Sequence, residues 1–341
     1  MSLSVGIVGL PNAGKSTLFN ALVARRLAQT APYPFTTIDP HEAVVPVPDS
    51  NLAKLTQIIK PEKTTPASVT FIDIAGLVKG ASQGEGLGNQ FLAKIREVDA
   101  VIHVVRAFED ANVPHPSSLR SSGQAPSSPV GESGQAPLKE QAGLLAQMKE
   151  DLEIINLELE LGGIVGKPTL YVINAGEKQL SEADSLLSSL KLVIDNVPAL
   201  VVAAKLEEEL TDLEPAERVA YFKELKISKT GLEQLIASAY KLLNLITFYT
   251  IKGAGPSSAT ASEGRGEIRA WALKKGSTAL AAAGKVHTDF ALHFIKAEVI
   301  PVMELLAIGS WTQAKELGKI QLAGRDYLLH DGDVVEFKVG A

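Results

Sequence analysis

Eight residues near the start of the chain, Gly9-Leu10-Pro11-Asn12-Ala13-Gly14-Lys15-Ser16, constrain it more than any other feature. They match G-x-x-x-x-G-K-[ST], and each fixed position answers a physical need. The glycines let the backbone wrap an anion so that its N–H groups, with the amino end of the following helix, point inward. Lys15 can reach the β- and γ-phosphates of a nucleotide, and the Ser16 hydroxyl suits Mg²⁺. Asn12, Ala13, Gly14, Lys15, Ser16 and Thr17 are therefore candidate phosphate contacts. Leu3–Val8 reads as a strand and Lys15–Leu27 as an apolar helix. Strand, loop and helix in that order open a parallel α/β sheet.

The apolar runs Val69–Ile74, Ala100–Val105, Thr169–Ile173 and Leu200–Ala203 read as further buried strands. Helical patterns at Asn89–Val98 and Leu180–Ile194 lie between them. The spacing predicts an open sheet with helices on both faces. Residues 112–137 break the pattern: fifteen of the 26 are Ser, Pro or Gly, and SGQAP occurs twice, so a linker is expected there. A helix from Leu138 to Leu161 follows. Its Leu145, Met148, Leu152, Ile155 and Leu159 have the spacing of a coiled-coil seam, which equally suits a helix packed on its own domain. Thr247–Ile251 and Glu267–Leu273 read as strands around a flexible loop at Gly253–Gly266. An Ala-rich helix comes next, and Asp326–Val339 reads as a hairpin turning at Asp331-Gly332. That order suggests a small β-grasp module, a separate α+β domain.

Composition narrows the chemistry. There is no cysteine among the 341 residues, which removes disulfides, thiolate metal sites and cysteine nucleophiles. No basic leader precedes the first strand, and no apolar run approaches the roughly 20 residues of a membrane span, so a cytoplasmic protein without a membrane partner is expected. The net charge of −6 is concentrated in residues 112–245, which carry twelve basic and nineteen acidic side chains. The overall field therefore does not favour RNA, and the near-neutral C-terminal part does not choose between RNA and protein.

Three further constellations fit the phosphate loop. Asp73-Ile74-Ala75-Gly76 follows a strand, where the carboxylate can hold a metal's water shell and the Gly76 N–H can sense a γ-phosphate. Thr36 and Thr37 follow Pro32-Tyr33-Pro34-Phe35, and Thr37 is the candidate to complete the Mg²⁺ shell when triphosphate is bound. Asn174-Ala175-Gly176-Glu177 stands where guanine-specific enzymes carry N-K-x-D. Lacking that lysine and aspartate, it loses guanine's bidentate partner and makes adenine plausible. Ala203-Ala204-Lys205-Leu206, after the next strand, would form the other wall of a base pocket.

In this order the residues resemble the Obg-like ATPases, known in bacteria as YchF, within the translation-factor-related GTPases. The resemblance is carried by Gly9–Thr17, Tyr33–Asp39, Asp73–Leu92 and Phe108–Asp110, and C-terminally by Ala270–Leu273, Val286–Phe290, Phe294–Pro301 and Tyr327–Phe337, which look like the family's TGS domain. It implies an OBG-type nucleotide-binding domain at 1–111 and 165–245, a linker with a helical insertion at 112–164, and a TGS module at 246–341. It also implies a slow Mg²⁺-dependent ATPase preferring ATP to GTP, associated with the large ribosomal subunit and linked to translation and stress responses. Site residues follow: Lys15 as catalytic, Ser16, Thr37 and Asp73 on the metal, and Gly76, Asn174, Glu177, Ala204, Lys205 and Leu206 on the nucleotide. Asn12 is similar to the asparagine of potassium-stimulated relatives and adds K⁺ to the candidate cofactors. Leu77 replaces the glutamine that positions water in many relatives, and a leucine has no donor or acceptor for that task. His115, where the family has a histidine in a mobile loop, is the candidate substitute. The family's arm is a longer helical pair than the one helix legible here, and Ala175, Gly176 and Ala203 depart from its base motifs. A GTPase on the same scaffold, and a ribosome- or protein-binding adaptor with negligible turnover, remain rival readings.

Overall fold

The computed structural model describes residues 3–29, 41–74, 87–108, 136–180, 182–191, 194, 197–211, 213, 217, 221, 230–251 and 266–340. In chain order the elements are β1 (Ser4–Gly9), α1 (Lys15–Gln29), β2 (Glu42–Pro46), α2 (Ser50–Ile59), β3 (Lys63–Thr65), β4 (Ser68–Asp73), α3 (Leu87–Glu97) and β5 (Ala100–Ala107). Then come α4 (Ala136–Leu161), β6 (Thr169–Ala175), α5 (Glu177–Leu180), α6 (Ala183–Lys191), β7 (Ala199–Val202), α7 (Ala204–Glu209) and α8 (Gly231–Leu242). The last set is β8 (Leu245–Ile251), β9 (Glu267–Lys274), α9 (Ala279–Val286), α10 (Thr288–Leu292), β10 (Phe294–Pro301), α11 (Val302–Ile308), α12 (Trp311–Glu316), β11 (Gln321–Ala323) and β12 (Asp333–Val339).

The chain forms two units. The first, Met1–Val45 with Val69–Leu242, holds a six-stranded sheet in the order β2-β4-β1-β5-β6-β7. Its β4–β1, β1–β5, β5–β6 and β6–β7 pairings are parallel. Strand β5 is buried at all its positions, as a central strand covered on both faces must be. The seam of α4 settles its own ambiguity. Met148 and Leu152 pack with Val105 and Ile173, and Ile155 packs with Val8 and Val101, so the apolar stripe closes on its own sheet.

The second unit, Pro46–Ser68 with Leu243–Ala341, has the strand order β11-β10-β12-β8-β9-β3. Two expectations need correction here. Pro46–Ser68, which fell inside the 1–111 span of the nucleotide-binding domain, belongs to this unit. Its β3 pairs in parallel with β9, and Leu52 and Leu55 of α2 join the cluster of Leu305 and Trp311. Asp326–Val339 is not a hairpin, because β12 pairs antiparallel with β10 and parallel with β8. The Asp331-Gly332 turn is held instead by Thr247, whose amide donates to Asp331 Oδ1 at 2.7 Å and whose carbonyl accepts from Gly332 N at 2.8 Å.

Candidate functional site

The phosphate loop follows β1 directly. Its backbone turns through positive φ at Asn12 (63°) and at Gly14 (90°). A Cβ on Gly14 would stand 2.0 Å from Asn174 Nδ2, so the second glycine is needed for space as well as for conformation. Asn174, at the end of β6, explains the crowding. Its Nδ2 donates to the Ala13 carbonyl at 2.9 Å, and its Oδ1 accepts from Ala204 N at 3.0 Å. One buried amide thus ties the phosphate loop to the start of α7. A buried amide group with both ends satisfied is a rigid spacer rather than a strained one.

Lys15 is buried to 7% exposure, and its Nζ donates to the Leu10 carbonyl at 2.8 Å. Burial pushes the ammonium's pKa down, while the nearby Asp73 carboxylate opposes that shift. Asp73 closes β4 with its Oδ1 buried and, among the described residues, without a hydrogen-bond partner. An orphaned carboxylate oxygen beside a phosphate-loop lysine fits a divalent cation or its water shell, since such an atom is costly when left unpaired. Ser16, exposed at the head of α1, lines the adjoining cavity and brings a hydroxyl to it. The donor set present therefore fits Mg²⁺. Thr37, Gly76, Leu77 and His115 lie outside the described residues.

A cavity of about 660 Å³ opens beside the loop. Asn12, Gly14, Lys15, Ser16 and Thr17 of the loop and α1 line it together with Asn174, Glu177, Lys205 and Leu206. Ala13 and Ala204 are buried, and their main-chain groups hydrogen-bond to Asn174. Glu177 Oε1 also accepts from the Tyr221 hydroxyl at 3.3 Å. Glu208 and Glu209 add two carboxylates to the wall, and neither was singled out in the sequence.

Sequence reasoning also missed Arg106. It is buried in β5, donating from Nε to the Phe108 carbonyl at 3.1 Å and from Nη1 to the Asn12 carbonyl at 3.4 Å. Its guanidinium stacks 4.4 Å from the centre of the Phe108 ring, which lines the cavity. The available signal was a cation inside the apolar run Ala100–Ala107, because a buried charge needs partners.

Residues 4–126 match a family model described as "50S ribosome-binding GTPase", and residues 260–340 match the YchF-GTPase_C model, described as a protein of unknown function. The chain is 39% identical to the "Ribosome-binding ATPase YchF" of Bacillus subtilis, with 99% of each chain covered. It is 37% identical to the protein of the same description from Escherichia coli O157:H7, again over 99% of each. Among solved structures, the YchF GTPase of Schizosaccharomyces pombe is similar with a TM-score of 0.73 and 31% identity, covering 99% of this chain and 98% of that one.

Proposed function

This chain belongs to the YchF family of P-loop nucleotide hydrolases, and on that premise we propose that it is a Mg²⁺-dependent ATPase acting on the ribosome. The observation that carries this reading is the cavity running from Lys15 and Ser16 to Asn174 and Glu177, with Asn174 fixing both ends. Loop amides and the Lys15 ammonium would hold the polyphosphate and stabilise the charge that spreads over the transferring phosphoryl group. Ser16 and Asp73, with Thr37, would hold Mg²⁺, which when bound neutralises phosphate charge. Gly76 and His115 are proposed to sense the γ-phosphate and to position water.

ATP is proposed over GTP. The loop after β6 offers Glu177 without the lysine and aspartate that guanine uses, so guanine loses its discriminating bidentate contact. The relatives' names motivate the ribosomal partner, with the large subunit as the binding surface and RNA or protein contacts through the C-terminal unit. The setting would be cytoplasmic; among the described residues no helix is long and apolar enough to cross a membrane.

The test is binding of ATP and GTP in magnesium buffer with phosphate release, for the wild-type chain and Lys15→Ala, with and without ribosomes. Tighter ATP binding and turnover that vanishes in Lys15→Ala are expected. Tighter GTP binding would reassign the base, and turnover equal to that of Lys15→Ala would leave a nucleotide-stabilised adaptor.

A further inference from the structure

The cavity wall at the base end is carried by a helix with little of its own to hold it. Helix α7 has six residues, and its cap residue Ala203 makes no side-chain hydrogen bond. So short a helix depends on tertiary contacts. Asn174 engages its first amide. Beyond the packing of α7 on α1, a further anchor is Glu207, which is buried while its neighbours Lys205, Leu206, Glu208 and Glu209 line the cavity.

The Glu207 carboxylate meets the amino end of α8. Its Oε1 accepts from Leu232 N at 3.2 Å, and the Gly231 amide also donates to it. A Cβ on Gly231 would approach that oxygen to 3.0 Å, so the carboxylate packs closely against this position. Arg25 of α1 stands near enough to favour the anion, and it pairs with Glu233 at 2.9 Å. Glu207 serves the first two amides of α8, and a second side chain caps the third. Thr230 Oγ1 accepts from Glu233 N at 3.0 Å, which is the ordinary N-cap bond. Burying a carboxylate costs free energy unless its hydrogen bonds are made. What Glu207 adds for that cost is a tie between α7 and α8.

We infer that Glu207 is a positioning residue for the nucleotide base: by fastening α7 to the amino end of α8 it sets Lys205, Leu206 and Glu208 at the cavity wall. The inference rests on the hydrolase reading above. The Glu207 carboxylate meets α8 and no residue of the phosphate loop, while Asn174 holds the loop end of α7 independently, so its effect falls on the base-side wall.

Affinities for ATP and for inorganic tripolyphosphate in magnesium buffer, measured on wild type, Glu207→Ala and Glu207→Gln, test it. Glu207→Ala is expected to weaken ATP about tenfold through misplacement of the wall, with tripolyphosphate unchanged. Glu207→Gln, whose amide oxygen can still accept from α8, should recover most of the loss. Amide exchange across residues 204–209 should quicken in Glu207→Ala. If that variant does not fold, Glu207→Asp, whose shorter stem withdraws the carboxylate from the α8 amides, should give the same selective loss. Parallel weakening of both ligands, or ATP binding unaltered in a wild-type-like way, overturns the assignment of Glu207 alone. A wild-type chain that binds neither ligand overturns the hydrolase reading and the role at the base with it.

Discussion

The Tyr249 hydroxyl donates to Asp49 Oδ2 at 2.8 Å, while the other oxygen of the same carboxylate caps α2 by accepting from the amides of Asn51 and Leu52. This carboxylate joins the Pro46–Ser68 segment to β8, far away in the sequence. Burial, followed by the Asp49 charge, pushes the tyrosine's pKa well up, so the folded chain holds that proton more tightly than the unfolded chain does. The contribution is complete below the ordinary tyrosine pKa and is lost as pH rises above it. Tyr249→Phe should cost about 1–2 kcal/mol at neutral pH. In urea titrations it should also flatten the loss of stability above pH 10; an unchanged alkaline slope would remove this account.

Gly14 has φ of 90° and no room for a methyl group, since Asn174 Nδ2 lies 2.0 Å from where a Cβ would be. Gly14→Ala should therefore displace the Asn174 amide and open the loop. Strain and lost hydrogen bonds together suggest about 2–3 kcal/mol, or roughly a hundredfold weaker nucleotide binding. Calorimetric titration of ATP gives the answer, and a change of less than about threefold would count against a rigid loop.

His103 is fully buried in β5, and neither ring nitrogen has a hydrogen-bond partner among the described residues. Burial, then the Lys15 charge, pushes its pKa down to about 3. A depressed folded value means stability that is present above the unfolded histidine pKa and lost as pH falls from there toward 3. The ring should show no titration between pH 5 and 8 by NMR. His103→Leu, an apolar replacement of similar bulk, should reduce the acid sensitivity of unfolding. Titration near pH 6.5 would contradict the burial.

Lys167 holds the carboxyl end of α3. Its ammonium donates to the carbonyls of Ile95 at 2.6 Å and Arg96 at 3.1 Å, and also to that of Val98. Arg96 in turn donates to the Gly162 carbonyl at 2.7 Å, just after α4. Lys167→Met keeps the stem but removes the donors, so stability should fall by about 1–3 kcal/mol. Amide exchange should quicken first in the last turn of α3; a uniform change across the first unit would rule out a local clamp.

Local patterns were legible where the sequence itself fixes the contact. The strand at Ser4–Gly9, the loop ending at Ser16 and the strands at Ala100–Ala107 and Thr169–Ala175 were all visible as apolar runs or glycine spacing. Arg106 and Glu207 were not singled out, because a charge in a sequence does not show whether it is buried. Asn174 was marked as a base contact, yet its amide is engaged by Ala13 and Ala204, partners 161 and 30 residues away.

By itself the sequence determined the phosphate loop and the alternation of strands and helices around it, because those follow from backbone conformation and periodicity over a few residues. Only the tertiary structure decided that Pro46–Ser68 completes the second unit, that the α4 stripe faces its own sheet, and that Asp331-Gly332 turns on Thr247. Each depends on which of several chemically similar surfaces lies opposite. That choice is made by chain topology, which brings together residues whose spacing along the chain carries no record of the meeting.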